Sequence, residues 1–220
     1  MSLRAASALI LAGGKSSRFG SDKALADFRG QTLIVRAVLA AQASFARVAV
    51  VAKDPERYRS LLDAAVVKVD EEAATDGAPA TADRSLPAAE SRPTALVADG
   101  NDSETPLAGL VAGLEWCPTE VAFAFAVDMP FAVDAALLDA LEAAIKGHDA
   151  AAATLAGQLE PLCALYRRGP ALEAGRTLLA RNAGPSSLLR TIRTAVVEWP
   201  DQRPFLDADT QLALDELGRH

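Results

Sequence analysis

The stretch Leu11-Ala-Gly-Gly-Lys-Ser-Ser-Arg-Phe-Gly-Ser-Asp-Lys23 constrains this chain more than any other part of it. It follows the apolar run from Ala5 to Leu11, which reads as a buried strand. Gly13 and Gly14 carry no Cβ, so the backbone can turn sharply there and come close to a ligand. Successive N–H groups in such a loop form a concave anion site. Lys15, Arg18 and Lys23 bring three cations to it. A guanidinium can grip a phosphate through two parallel donors, while an ammonium acts as a compact point charge. Strand, glycine turn and basic residues together imply a cradle for a triphosphate; the bland alternative is a plain strand-to-loop turn with solvated lysines.

Spacing excludes the two commonest phosphate loops. A Walker A loop ending in Gly14-Lys15-Ser16 would need glycine where Leu9 stands. The dinucleotide fingerprint G-x-G-x-x-G fails as well, because the glycines are Gly13, Gly14 and Gly20. The stretch closely resembles the L-A-G-G-x-S-x-R-x-G-x-D-K signature of nucleotidyltransferases related to the molybdenum cofactor guanylyltransferase, the MobA-like family.

At 220 residues and 50% hydrophobic, the chain can bury a full core, and one nucleotidyltransferase domain over residues 1–220 is expected. The net charge of −7 argues against a nucleic-acid surface or an anionic membrane as partner. Cys117 and Cys163 lie far apart and outside any metal-binding spacing. His148 and His220 form no cluster, so nucleophilic catalysis of the Ser-His or Cys-His kind has little to draw on. There is no signal-type N-terminal segment and no apolar run long enough to span a bilayer, so a soluble cytoplasmic protein is expected.

Along the chain, residues 24–28 read as a short extended piece and residues 32–42 as a helix whose apolar face carries Leu33, Ile34, Ala37, Val38 and Ala41. Residues 47–52 read as a buried strand, and residues 54–63 as a helix with Asp54 as N-cap and Pro55 in its first turn. A third strand is expected at residues 65–69. Residues 70–93 are rich in Ala, Pro, Thr, Ser and acids, with Leu86 the sole large aliphatic. Such a segment cannot bury enough apolar area to offset its ordering entropy, so a disordered insertion is expected, with a lid or partner-binding arm as the alternative. A strand at 94–99, a helix at 106–116 and a strand at 121–127 follow, the last ending at Asp128-Met-Pro-Phe131. A helix at 133–146, a strand at 150–155, helices at 170–181 and 186–192, and a strand at 194–199 complete the pattern. Strands alternating with helices imply a three-layer α/β/α, Rossmann-like, mostly parallel sheet. In such a sheet ligands bind beyond the carboxyl ends of the strands, which groups the glycine loop with Asp99 and Asp128. The plain reading of Asp128 is a cap for the next helix, although Asp134 is better placed to cap.

The resemblance extends beyond the loop. Pro106-Leu-Ala-Gly109 is similar to the family's P-L-a-G segment, with Thr105 where the family has Gly. Asp128-Met-Pro-Phe is similar to its D-M-P-F motif, whose Asp binds metal. Residues 158–167 are similar to its e-P-L-c-A-l-Y-r segment, in which Tyr166 reads as core and Glu160 as turned towards the site. Phe205 to Leu217 is similar to the closing N-x-N-T motif, with Asp207 and Asp209 in place of the two Asn. Asp209 there is either a second metal ligand or, with Thr210, the start of a last helix. Ala52 falls near the place of an Asn that contacts the base.

The resemblance implies a nucleotide-diphospho-sugar-transferase-like fold and Mg²⁺-dependent nucleotidyl transfer. It assigns Leu11, Ala12, Gly13, Gly14, Lys23, Asp99 and Asp128 to the nucleotide. Arg18, Lys23 and Asp128 would be catalytic, and Asp128 and Asp209 would hold the metal. GTP and molybdopterin are the implied substrates, and a molybdoenzyme or cofactor-delivery protein is an implied partner. Alternatives are a cytidylyl- or guanylyltransferase acting on another phosphorylated acceptor, and a non-catalytic nucleotide-binding protein of cofactor delivery.

Overall fold

The computed structural model describes residues 5–13, 22–65, 93–100 and 105–207. Its centre is a seven-stranded sheet of order β5-β4-β1-β6-β8-β7-β9. The strands are β1 (Ser7–Leu11), β4 (Arg47–Ala52), β5 (Ala95–Ala98), β6 (Val121–Ala126), β7 (Ala150–Leu155), β8 (Gln158–Arg167) and β9 (Thr194–Glu198). A two-stranded hairpin, β2 (Asp27–Phe28) with β3 (Gln31–Thr32), stands apart from it. The helices are α1 (Leu33–Ser44), α2 (Pro106–Trp116), α3 (Ala135–Ala144), α4 (Arg168–Leu179) and α5 (Pro185–Thr191).

β1 is buried along its whole length and its side chains divide between two cores. Ala8 and Ile10 join α1 and α3 on one face, and Leu9 and Leu11 join α2, α4 and α5 on the other. That division follows from the two-residue period of a strand, and it explains why a strand buried on both sides reads as an unbroken apolar run. β1 pairs in parallel with both β4 and β6. The chain therefore runs outwards from β1 to β4 and β5, then returns over the opposite face through α2 to β6. The reversal leaves a switch point between β1 and β6, where a doubly wound sheet opens a crevice.

The sheet is parallel apart from β8, which is antiparallel to β6 and to β7. The mostly parallel sheet that was expected is thus found, with β8 as its one reversed strand. Ala156 and Gly157, with φ of 50° and 80°, close a two-residue hairpin between Leu155 and Gln158, and a hairpin leaves no room for a parallel return. The same geometry recurs at Arg29 (φ 57°) and Gly30 (φ 80°), which turn β2 back as β3; of the extended piece expected at 24–28 only Asp27–Phe28 is strand, because Lys23–Leu25 winds into a 3-10 turn.

Several helix ends differ from the pattern reading. Asp54 stands at an N-cap position but its side chain caps nothing, and Pro55–Tyr58 opens as a 3-10 turn. Residues 59–65 continue as helix, so Ala65 belongs there and not to a strand. The expected strand beyond it lies outside the described residues, as do nearly all of the 70–93 insertion and the last helix. Asp134 does cap α3, accepting from the Leu137 N–H at 2.9 Å. Tyr166 is fully buried, and its hydroxyl donates to the Pro161 carbonyl at 2.7 Å. No helix among the described residues is long and apolar enough to cross a membrane.

Candidate active site

The parallel ladder carries three chain segments past its carboxyl edge in register. The Ala12 N–H donates to the Val51 carbonyl at 2.8 Å, the Asp99 N–H to the Ala52 carbonyl at 2.8 Å, and the Val127 N–H to the Leu11 carbonyl at 3.0 Å. Asp99 therefore stands one residue beyond β5 and Asp128 two beyond β6, on either side of the loop that leaves β1.

Beyond the part of that loop outside the described residues, a short 3-10 turn, Lys23–Leu25, follows with Asp22 as its N-cap. Asp22 Oδ1 accepts from the Ala24 N–H at 3.2 Å. Its Oδ2 accepts from the Tyr58 hydroxyl at 2.9 Å and is paired with the Arg57 guanidinium. Burial, and then the donated bond to Asp22, push the Tyr58 hydroxyl pKa up, so it stays protonated as a donor. The next side chain, Lys23, reaches across the crevice. Its Nζ donates to Asp128 Oδ2 at 2.6 Å, with the two side chains 14% and 22% exposed. Both are sheltered and partly exposed.

Gly13 begins the loop. A Cβ placed on it would meet no atom of the described residues within 4 Å. On the other side of the crevice, Asp99 Oδ2 lies 3.9 Å from where a Cβ on Gly109 would stand, and Leu11 Cδ2 lies at 3.7 Å. A cavity of about 760 Å³ opens beside Asp99, between the end of β5 and helices α2 and α4. At its far wall, Arg176 donates to Glu115 Oε1 at 2.9 and 2.8 Å. Thr105 holds the N-cap position of α2 without a side-chain cap bond, next to Pro106.

Of the residues singled out in the sequence, Leu11, Ala12, Gly13, Lys23, Asp99 and Asp128 thus gather at one edge of the sheet. Gly14, Arg18 and Asp209 lie outside the described residues. Glu160 is half-buried on β8, and its pKa is raised by burial and then by the charge of Asp207. Among the described residues no three His, Cys, Asp or Glu side chains group as a metal cluster. His148 precedes β7, at the opposite edge of the sheet from Asp128. The Tyr58–Asp22 bond went unread in the sequence. Its partners stand 36 positions apart, and only the fold joins them.

Comparison with known proteins agrees with this geometry. The MobA-like NTP transferase domain family matches residues 8–196. A relative from Natronomonas pharaonis, named a probable molybdenum cofactor guanylyltransferase, is 32% identical over 92% of this chain and 91% of its own. The solved structure of molybdopterin-guanine dinucleotide biosynthesis protein A from Archaeoglobus fulgidus superposes with a TM-score of 0.67, at 17% identity, over 97% of each chain. That of 2-C-methyl-D-erythritol 4-phosphate cytidylyltransferase from Thermus thermophilus gives 0.62 at 17% identity, over 98% of this chain and 99% of the other. The two structures share its fold. With the family matched over most of its length and the signature loop leading to the Lys23–Asp128 pair, this chain belongs to the MobA-like NTP transferases.

Proposed function

We propose that this chain transfers GMP from GTP to molybdopterin, forming the guanine dinucleotide cofactor and releasing pyrophosphate. The observation that carries the reading is the Lys23–Asp128 contact at the switch point of the sheet. The names of the relatives support the choice of guanine and of molybdopterin.

A phosphate oxygen of the acceptor attacks the α-phosphorus of the triphosphate. The new P–O bond forms as the bond to the β-phosphate bridge breaks, and the electron pair leaves with pyrophosphate. A phosphate monoester has its second pKa near 6, so the nucleophile is already ionised at neutral pH. No general base is required, in keeping with a crevice edge where no described histidine stands. The chain's task is to gather negative oxygens in line, and positioning with electrostatic stabilisation can supply most of such a rate.

In this reading the Ala12 N–H is spent on the Val51 carbonyl and Leu11 belongs to the β1 ladder, so the expected N–H cradle from Leu11 to Gly14 is cut back to the backbone N–H groups of Gly13 and Gly14, which hold the phosphates. Lys23 moves from Asp128 onto phosphate oxygens as the triphosphate enters, and Arg18 adds a bidentate grip. Asp99 meets the ribose or base across Gly109, and the cavity beside it takes the nucleoside. Asp128 fits a magnesium ion: its carboxylate is partly exposed, and its described hydrogen bond uses only Oδ2. Magnesium takes one or two carboxylates plus phosphate oxygens and waters, so Asp128, with Asp209 as a second ligand, is a sufficient donor set. When bound, the ion supplies charge neutralisation at the phosphates.

Titration of the protein with GTP, CTP and ATP, each with Mg²⁺, tests the reading. GTP is expected to bind tightest. A preference for CTP would move the protein to cytidylyl transfer, and no binding of any of the three would overturn the nucleotide site.

A further inference from the structure

A cavity of about 380 Å³ lies beside the Asp128 loop on the α1 side of the sheet. Its wall carries Arg36 from α1, Pro130, Phe131 and Asp134 from the segment after β6, and Arg203. The arginines are stacked on rings. The Arg36 guanidinium carbon lies 5.0 Å from the centre of Phe28 and 5.9 Å from that of Phe131, and Arg203 lies 4.7 Å over Phe131. The two rings meet edge to face at 5.8 Å and fix the arrangement.

Stacking occupies guanidinium faces and leaves their N–H edges for a ligand. Arg36 spends one donor on the Pro130 carbonyl, at 3.4 Å. No carboxylate of the described residues pairs with the guanidinium of Arg36 or Arg203, although Asp201 Oδ1 accepts from the Arg203 backbone N–H at 2.9 Å. Asp134, the one acid in the wall, uses Oδ1 to cap α3. Burial, then the charges of Arg29 and Arg203, hold the Arg36 pKa below its ordinary value. On a chain of net charge −7, like charges are thus drawn together in a recess whose own acid does not pair with them.

We propose that this recess is a second oxyanion site, separate from the Lys23 loop, that takes a phosphate group on the N–H edges of Arg36 and Arg203. A tetrahedral oxyanion relieves the repulsion and accepts a fork of donors from each arginine. The Arg36–Pro130 bond ties the site to the backbone two residues past Asp128. The phosphate comes either as a free anion, such as released pyrophosphate, or as part of a phosphorylated organic molecule. The inference is independent of which nucleotide the protein uses.

The test is calorimetric titration without nucleotide, at low ionic strength, with inorganic phosphate, pyrophosphate and ribose 5-phosphate. Wild type should take pyrophosphate at two sites and Lys23→Ala should keep one. In the Lys23→Ala background, adding Arg36→Gln and Arg203→Gln should weaken the remaining site at least tenfold. Arg203→Gln alone, at an exposed position, should weaken it less, and Arg203→Lys less still. Tighter binding of ribose 5-phosphate than of inorganic phosphate assigns the site to an organic phosphate, and the reverse assigns it to the free anion. Unchanged affinity in the arginine variants, or no anion binding by Lys23→Ala, would overturn the proposal.

Discussion

Lys23 and Asp128 lie 105 positions apart in the chain, and the fold brings the ammonium nitrogen to 2.6 Å from a carboxylate oxygen. The two can be separated by experiment. In the proposed mechanism, removing Lys23 leaves Asp128 able to hold a metal, whereas removing Asp128 leaves a cation able to hold phosphate. Lys23→Ala should therefore lower turnover about 100-fold or more while metal binding persists. Asp128→Ala should abolish magnesium-dependent turnover while triphosphate binding without metal persists. Steady-state kinetics with a magnesium titration read both. Near-wild-type turnover in Lys23→Ala would remove that residue from the mechanism.

Gly13 and Gly113 make opposite predictions from the same substitution. A Cβ on Gly13 meets no atom of the described residues within 4 Å, so Gly13→Ala should leave stability within about 0.5 kcal/mol of wild type and should weaken triphosphate binding. A Cβ on Gly113, inside α2, would stand 3.0 Å from Leu9 Cδ1 and 3.2 Å from Val51 Cγ2. Alanine improves helix propensity by about 1 kcal/mol, and crowding a packed core costs about 1–3 kcal/mol. Gly113→Ala should thus be destabilising on balance, with little direct effect on binding. Denaturant unfolding paired with nucleotide titration reads both variants.

Tyr58 anchors the loop that presents Lys23. Tyr58→Phe removes its bond to the Asp22 carboxylate, and a hydrogen bond to a charged group contributes about 1.5–3 kcal/mol. Lower stability together with a several-fold lower turnover is expected, because Lys23 is the next residue. A stable variant with full turnover would show that the loop holds its place without Asp22.

Much of this arrangement was legible in the residues, and the misses have physical causes. Strands such as Val121–Ala126 announce themselves because burial on both faces demands an unbroken apolar run. Helix α2 was readable from Pro106 at its first turn. The hairpin at Ala156-Gly157 escaped because alanine rarely takes positive φ, so only one of its two turn residues signals. Asp54 misled because its type fits a cap, while capping depends on where the side chain turns. The glycine loop, Asp99 and Asp128 could be grouped in advance, since strand ends in such a sheet converge. The pairing of Asp22 with Tyr58, and the arginine recess, depend on contacts that no spacing encodes.

Glu160 gives a pH signature. Burial first, then Asp207, raises its pKa above the ordinary 4.5, so the folded chain binds this proton more tightly than the unfolded chain. The contribution to stability is fully present below the unfolded value and is lost as pH rises through the folded one. Glu160→Gln removes the penalty of carrying a buried charge. Its melting temperature relative to wild type should therefore climb as pH is raised from 4.5 towards neutrality, then level off. A pH-independent difference would contradict the assignment.

The most direct measurement follows the α-phosphate itself. The protein is incubated with Mg²⁺, molybdopterin and GTP labelled at the α-phosphorus, and both the labelled product and pyrophosphate are counted. The account predicts that label enters the acceptor, one pyrophosphate leaves for each GMP transferred, and Lys23→Ala and Asp128→Ala both fail. Release of pyrophosphate with no labelled acceptor, or equal transfer by the Asp128→Ala variant, would contradict it.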